Sequence, residues 1–384
     1  MFSRRFLWER ARPVLLALAI GAGFTQAGVA QASGVRQVCF NPNPLYRLGG
    51  EDLAWNEVSA VSSNDSLLAV LTDSDPVIHL FAFPDGTHRG SWGGLGEGPG
   101  EFRDPAGIAL VGGRIYALDE ALGRLSIFDF TGDLVRTVAL HQFGMLPNFP
   151  RRLHRAEGDT LLFLATEPTA NSSAVIALSF GDAGIVGPDT LVAYRTAPDL
   201  LRLTAPGAPS WTVPPPYSSR PRWTPVSGGV AFWQGPDPEV RILGVDGATR
   251  SAVSLSLDDR FEVTGEDRES WLASAIPTEF MGRQGVFEPI REEARRTVGF
   301  PEHHPLVYRL LGGPDGFLWV LRTPAGREQV WDVVDSRGRH VGRLPLAPHR
   351  SLMSVIPDRL VLRSTDDLGV ESVQVHQFLL CPPL

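Results

Sequence analysis

Six copies of a unit of about four short strands, punctuated by glycine turns, predict an all-β fold, a six-bladed β-propeller. Three observations carry this expectation. Apolar and polar residues alternate with period two in paired runs separated by Asp-Gly-type turns, which is the pattern of antiparallel hairpins. The units recur every 42 to 47 residues where no insertion intervenes. A unit of that size cannot bury both faces of its sheet alone, whereas several arranged radially can. Finally, the last copy stops one strand short, and a strand-like segment near the start of the chain supplies the missing strand.

The first 32 residues stand apart from these repeats. "MFSRRFLWERARP" is basic, "VLLALAIGAG" is apolar, and "AQA" at Ala30 to Ala32 is a small-x-small cleavage site, so residues 1–32 read as a signal peptide. The apolar stretch is too short and too glycine-rich to span a membrane. The mature chain, 33–384, is therefore expected in the periplasm or outside the cell, with no membrane span. "SRRFL" partly resembles a twin-arginine export signal, one residue short before Phe-Leu, and both export routes stay open. Cleavage would remove four arginines and one glutamate, taking the formal charge from −8 to −11. A surface that acidic argues against nucleic acid or an anionic membrane as partner. Forty glycines and 32 prolines imply many turns and few long helices.

The copies follow in order. "EVSAVSS" (57–63) leads into a hairpin pair from Ser66 that turns at Asp85-Gly86, and "PAGIALV" (105–111) into one from Gly113 that turns at Gly132. The third, more degenerate, opens with "PRRLHR" (150–155) and continues from Gly158. The fourth runs from Gly228 and turns at Asp246-Gly247; the fifth opens with "HPLVYRLL" (304–311) and turns near Gly338. The sixth, "SLMSVIP" (351–357) and the run from Asp358, lacks its outer strand, which "VRQVCFNPNPLYRLGG" would add. That pairing puts Cys39 and Cys381, the only two cysteines, on neighbouring strands of one blade. In an oxidising compartment they are expected to form a disulfide that locks the seam.

Two segments depart from the repeat. Residues 193–227 are proline-rich and irregular. Residues 256–302 contain "EDRESWLASAI" and "EPIREEARRTVGF", which read as two short amphipathic helices with acidic starts. Insertions of this kind lie on one face of a propeller, as a binding surface or as a cap over an apolar edge, and both roles stay open.

The stretch "GSWGGLGEGPGEFRDPAGIAL" (90–110) has glycines at 93, 94, 96, 98 and 100, but no three of them give G-x-G-x-x-G, and no Lys-Ser or Lys-Thr follows. A phosphate cradle is therefore excluded. Its close, Gly-x-Phe-x-x-Pro at Gly100 to Pro105, resembles the linker of NHL-repeat propellers. The resemblance implies that Phe102 packs between blades and that Pro105 starts an inner strand. The chain is also similar to exported six-bladed propeller proteins of environmental bacteria, a resemblance that implies no particular activity. NHL-related propellers include lactone hydrolases and lyases with calcium or zinc in the central channel. Asn56, Glu57, Asp104, His154, His303 and His349 open inner strands here but do not reproduce that ligand pattern.

No Gly-x-Ser-x-Gly or His-Glu-x-x-His motif is present, and both thiols are expected to be paired. His303 and His304 are adjacent, so on a strand they face opposite ways and do not share a metal ion. A different pattern recurs at the inner-strand openings: Arg151, Arg152 and Arg155, then Arg220 and Arg222 with Trp223, then His303, then Arg350. Convergence of these openings would make a basic ring suited to a carboxylate or phosphate, with Trp223 and Trp233 to stack a sugar or aromatic group; pairing with acidic loops is the competing role. The leading expectation is a propeller that binds a small anionic ligand or an envelope protein, without catalysis and without a cofactor. The alternatives are a metal-dependent hydrolase or lyase using calcium or zinc in the channel, and an interaction platform in an envelope assembly.

Overall fold

The computed structural model describes residues 35–381 except 51–52, 144–149, 156–158, 168–171, 182–183, 196–199, 258, 281–282 and 325. For Pro150, Arg151, 165–167, Gly181, Gly184 and Phe280 it describes the backbone alone, and the expected signal peptide lies outside the described residues. Short alternating runs form strands β1 (Arg36–Phe40) and β2 (Tyr46–Leu48), followed by four separate four-stranded antiparallel sheets. The first holds β3 (Val58–Ser63), β4 (Leu67–Thr72), β5 (Ile78–Ala82) and β6 (His88–Trp92); the second holds β7 (Pro105–Val111), β8 (Arg114–Asp119), β9 (Arg124–Asp129) and β10 (Leu134–Ala139). The third holds β11 (Pro150–Arg155), β12 (Thr160–Glu167), β13 (Ser172–Gly181) and β14 (Gly184–Arg195). After a hairpin of β15 (Leu201–Leu203) and β16 (Trp211–Val213) comes the fourth, with β17 (Arg222–Val226), β18 (Gly229–Trp233), β19 (Glu239–Gly244) and β20 (Thr249–Ser254).

Helix α1 (Gly265–Ala275), the short pair β21 (Glu279–Phe280) and β22 (Arg283–Gln284), and helix α2 (Glu288–Thr297) follow. The chain ends with β23 (Arg309–Gly312), β24 (Leu318–Leu321), β25 (Gln329–Val334), β26 (His340–Leu346), β27 (Arg350–Ile356), β28 (Arg359–Thr365) and β29 (Glu371–Leu380). These seven strands join β1 and β2 in one nine-stranded sheet. The fold is thus all-β and propeller-like, with two α-helices among the described residues. The Asp-Gly turns work as their chemistry requires. Gly86 holds φ at 74°, and a Cβ there would strike the Tyr46 ring.

Most apolar burial lies between sheets, and one cluster lies between the two halves of the nine-stranded sheet. Leu71 and Ile78 of the first sheet share a cluster with Ile108 and Phe128 of the second, where Phe102 is wholly buried. Leu118 and Leu125 then pack with Leu161 and Phe163 of the third sheet, whose Leu162 and Val175 pack with Trp223 and Phe232 of the fourth. Trp233 meets Leu310 and Val320; Trp331 and Leu344 meet Leu352 and Leu362; and Val361 and Val373 return to Val58 and Leu68 of the first sheet. The innermost strands follow the same circuit, with β3 against β7, β7 against β11, β17 against β23, β23 against β27, and β27 against β3. Close approach between them is paid for in side chains: a Cβ on Gly312 would run into the Pro225 carbonyl.

The two chain ends meet at the seam. β2 lies antiparallel on β29, with Arg47 opposite Gln374. β1 pairs with the end of β29, Cys39 opposite Leu379, and runs parallel to β26 for two residue pairs. Cys39 and Cys381 form a disulfide with their Cα atoms 5.7 Å apart. Across the same seam the Val58 amide donates to the Glu371 carboxylate at 2.6 Å.

The two insertions fold together. Leu203 and Val213 of the hairpin share one core with Trp271, Leu272, Ile276, Phe287 and Ile290 of the helical segment, forming a cap whose Asp267 meets His304, which in turn bonds Tyr308, the residue before β23. Helix α2 is amphipathic as expected. Helix α1 differs, because its buried face includes Asp267 beside Trp271 and Leu272. That carboxylate is the acceptor of a capping box with Thr264, so the acidic start of the helix is buried and satisfied.

Two outcomes follow for stability. Replacing Cys39 and Cys381 together with serine should cost about 2–5 kcal/mol, read by urea unfolding. His79 is buried, with its Nδ1 on the Ser91 hydroxyl at 2.8 Å, and burial followed by the nearby His88 lowers its pKa to about 4. The native state therefore refuses a proton that the unfolded chain takes up near pH 6.5, so stability is full above that pH and falls as pH drops toward 4, by about 3 kcal/mol from this group. Unfolding at a series of pH values should show that slope, and His79→Gln should make it shallower by about this amount, the other buried histidines keeping their share.

Candidate functional site

The starts of three inner strands, β11, β17 and β23, come together beside the cap. In β11 a bulge between Arg151 and Leu153 leaves Arg152 with φ at 61°, a left-handed backbone that few side chains adopt. Arg152 is exposed, and its charge acts on His154 of its own strand, Tyr194 of β14, Arg222 of β17 and Arg309 of β23. Arg222 donates from Nε to the Tyr308 carbonyl at 2.5 Å and from Nη1 to the Pro221 carbonyl at 3.2 Å. Arg309 donates from Nη1 to the Leu352 carbonyl at 3.2 Å.

Among the described residues these cationic guanidinium groups have no carboxylate within ion-pair distance. Burial, then Arg220 and Arg152, lowers the pKa of Arg222 to about 10; burial, then Arg152 and Arg363, does the same to Arg309. Burial alone lowers Arg220. At pH 7 all remain protonated. Among the described residues no carboxylate stands within ion-pair distance of Arg220, Arg222 or Arg309, whereas Arg322, elsewhere in the fold, sits 2.6 Å from Asp332. An uncompensated charge out of water costs several kcal/mol. His154 completes the wall as a neutral group. Burial, then Arg152 and Arg309, lowers its pKa to about 3, and its ring meets Trp223 edge-on at 5.2 Å.

On the cap side, His304 is buried between Asp267 and Tyr308. Its Nε2 is 3.3 Å from the Asp267 carboxylate, and its Nδ1 is 2.6 Å from the Tyr308 hydroxyl. Thr264 donates to the same carboxylate from its amide at 2.7 Å and its hydroxyl at 2.6 Å, and Arg327 pairs with it at 3.0 Å. Burial pushes the Asp267 carboxyl up, but Thr264 and His304 outweigh it and hold the group below the usual range.

The residues expected from the sequence are thus divided. Arg152, Arg220 and Arg222 come together; the Arg151 side chain lies outside the described residues. Arg155 sits at the far end of β11, lining a cavity of about 410 Å³ with Asn64, Asp65 and Gly112, so it does not join them. Arg350 is half-buried with its field on His376 of β29, two strands out from β27. His303 is bridged to Glu262 in the cap region, 3.8 Å from Glu302. Trp223 and Trp233 are buried in sheet-to-sheet cores, so neither presents a face for stacking; Trp223 follows Arg222 on the strand and turns to the opposite side. Arg309, Tyr308 and His304 were missed as site residues. Arg309 has the same signal as the others, an arginine opening an inner strand, hidden inside the apolar run "LVYRLL".

Among the described residues no three His, Cys, Asp or Glu side chains gather as a metal donor set, and no helix is long and apolar enough to cross a membrane. No family model and no curated protein matches the chain. Among solved structures it is similar to a Bacteroides fragilis protein described as exported (13% identity, 91% of this chain and 96% of that one, TM-score 0.49). It is also similar to the calcium-binding protein regucalcin of Agrobacterium tumefaciens (12%, 91% and 99%, TM-score 0.45). A gluconolactonase of Xanthomonas campestris gives 13%, 91% and 99%, with TM-score 0.43. At that level of likeness no activity passes to this chain.

The strained position gives a prediction that separates fold from site. Arg152→Gly should leave the protein as stable or up to about 1 kcal/mol more stable, because glycine accepts the left-handed backbone that arginine resists. Arg152→Ala, which keeps that backbone cost, should not share the gain. Chemical unfolding of the two variants side by side reads the difference.

Proposed function

We propose that this chain is an exported six-bladed β-propeller that binds a small anionic ligand at the basic openings of its inner strands, without catalysis. One observation carries the reading: Arg220, Arg222 and Arg309 are cations held partly out of water with no carboxylate beside them among the described residues. Guanidinium groups are permanent charges with planar donor forks, and they suit carboxylate, phosphate or sulfate oxygens. Arg152, exposed and re-aimed by the bulge, offers the first contact to an incoming anion.

The blade count rests on the nine-stranded sheet being two blades. β23–β26 form one antiparallel set of four and β27–β29 with β2 form another, joined through β1 by two parallel residue pairs. The NHL-like reading is supported by Phe102, buried against both of its neighbouring sheets, and by Pro105, which begins β7. Export is supported by the disulfide, since such bonds persist in oxidising compartments.

Calorimetric titration with sulfate, phosphate and citrate at low ionic strength tests the reading. Binding is expected to weaken with added salt, and Arg152→Ala with Arg222→Ala should lower affinity by about tenfold or more, since charged hydrogen bonds contribute roughly 1.5–3 kcal/mol each. Unchanged affinity in the double variant contradicts it.

A further inference from the structure

The Asp267–His304–Tyr308 chain links the cap, where Asp267 closes the α1 capping box with Thr264, to the residue before β23. Each of its members is titratable or polar, and each is turned inward. Asp267 comes from α1, His304 from the segment after α2, and Tyr308 from the residue before β23. Tyr308 touches the site twice: its carbonyl takes the Arg222 Nε–H, and its phenol lies within the field of the Arg222 guanidinium.

The hydrogen-bond directions follow from the partners. The Asp267 carboxylate, which takes the Thr264 amide and hydroxyl and the Arg327 guanidinium, lies 3.3 Å from Nε2 without a hydrogen bond, and its negative charge favours the neutral His304 tautomer with its one N–H at Nε2. The bare Nδ1 must then accept, and the Tyr308 hydroxyl donates to it at 2.6 Å. In this state the hydroxyl proton of Tyr308 is committed to His304. When His304 takes a second proton, Nδ1 becomes a donor. The Tyr308 oxygen must then accept, and its own O–H is released to turn outward. One proton moves from solvent to Nδ1, and no other bond is made or broken.

We propose that Tyr308 is a proton-switched donor of the anion site, so that protonation of His304 reverses their hydrogen bond and tightens the hold on an oxyanion. This rests on the reading that Arg152 and Arg222 bind an anion. The charged and titratable groups that face His304 are Asp267 and Glu266 from α1, Arg327 from the β24–β25 connection, Tyr217 from the segment before β17, and Tyr308 itself. Asp267 favours the imidazolium and Arg327 opposes it. Burial weighs most and moves the titration below the usual histidine range, so the switch operates in acid.

Sulfate is the probe, because it stays a dianion from about pH 8 to about pH 4.5 and adds no titration of its own. For the full chain, sulfate affinity should rise about tenfold or more over that interval, the yield of one added hydrogen bond to a charged group. Tyr308→Phe should give a flat profile while still carrying a titrating His304, so a rise that survives in it is a bulk charge effect and overturns the proposal. His304→Gln, which has no titrating ring, should be flat as well and serves if the phenylalanine variant fails to fold. A flat profile in the unaltered protein overturns the switch alone. No sulfate binding at any pH overturns the anion site beneath it.

Discussion

Everything in this molecule depends on the two chain ends being brought together. Most apolar clusters of the sheets lie between two consecutive sheets, one joins the two halves of the nine-stranded sheet, and that sheet must meet the first for the circuit to hold. The seam does this with backbone pairing of β1 and β2 on β29, the Glu371 carboxylate on the Val58 amide, and a disulfide between residues 342 positions apart. A contact across such a long separation closes a large loop, and its cost is entropic. Once it is made, the inner strands are fixed against one another, and the side chains at their starts are fixed with them.

That rigidity explains how like charges can be held together. Every cation of this chain other than histidine is an arginine, as the sequence contains no lysine. The fold supplies the Asp332 carboxylate to both Arg322 and Arg343, with His340 at 3.0 Å, while Arg124 is held by the carbonyls of Glu97, Gly98 and Glu101. At the openings of β17 and β23 it supplies only carbonyl oxygens. Carbonyl dipoles orient a guanidinium without neutralising it, so the field remains available to a ligand. The cap stands beside these openings and shares its polar joint, His304 and Tyr308, with the strand that carries Arg309.

Much of the fold was legible because its signals are local. Pro105 starts β7 and Phe102 fills the gap between two sheets, as the Gly-x-Phe-x-x-Pro linker implied, and the hairpin turns fall at Gly86, Gly247 and Gly338, each with positive φ. The cysteine positions implied the seam. The site was only half legible. Arginines at strand openings named Arg152 and Arg222, but not that Arg155 lies at the opposite end of the same strand or that Arg350 looks away from the group. The Asp267–His304–Tyr308 chain joins residues about forty positions apart through a cap core built from two separate insertions. Period-two alternation carries no trace of such a contact. The tryptophans misled for a related reason: alternation on β17 turns Trp223 into the sheet-to-sheet core once Arg222 faces Tyr308.

The central claim is that the inner-strand openings hold a cationic space waiting for an anion. Crystals of the protein soaked in selenate, with anomalous scattering measured at the selenium edge, would locate that anion directly. The account predicts a selenium peak in contact with Arg152, Arg222 and Arg309. Selenium bound only elsewhere, or a carboxylate side chain of the chain itself filling the space, would contradict it.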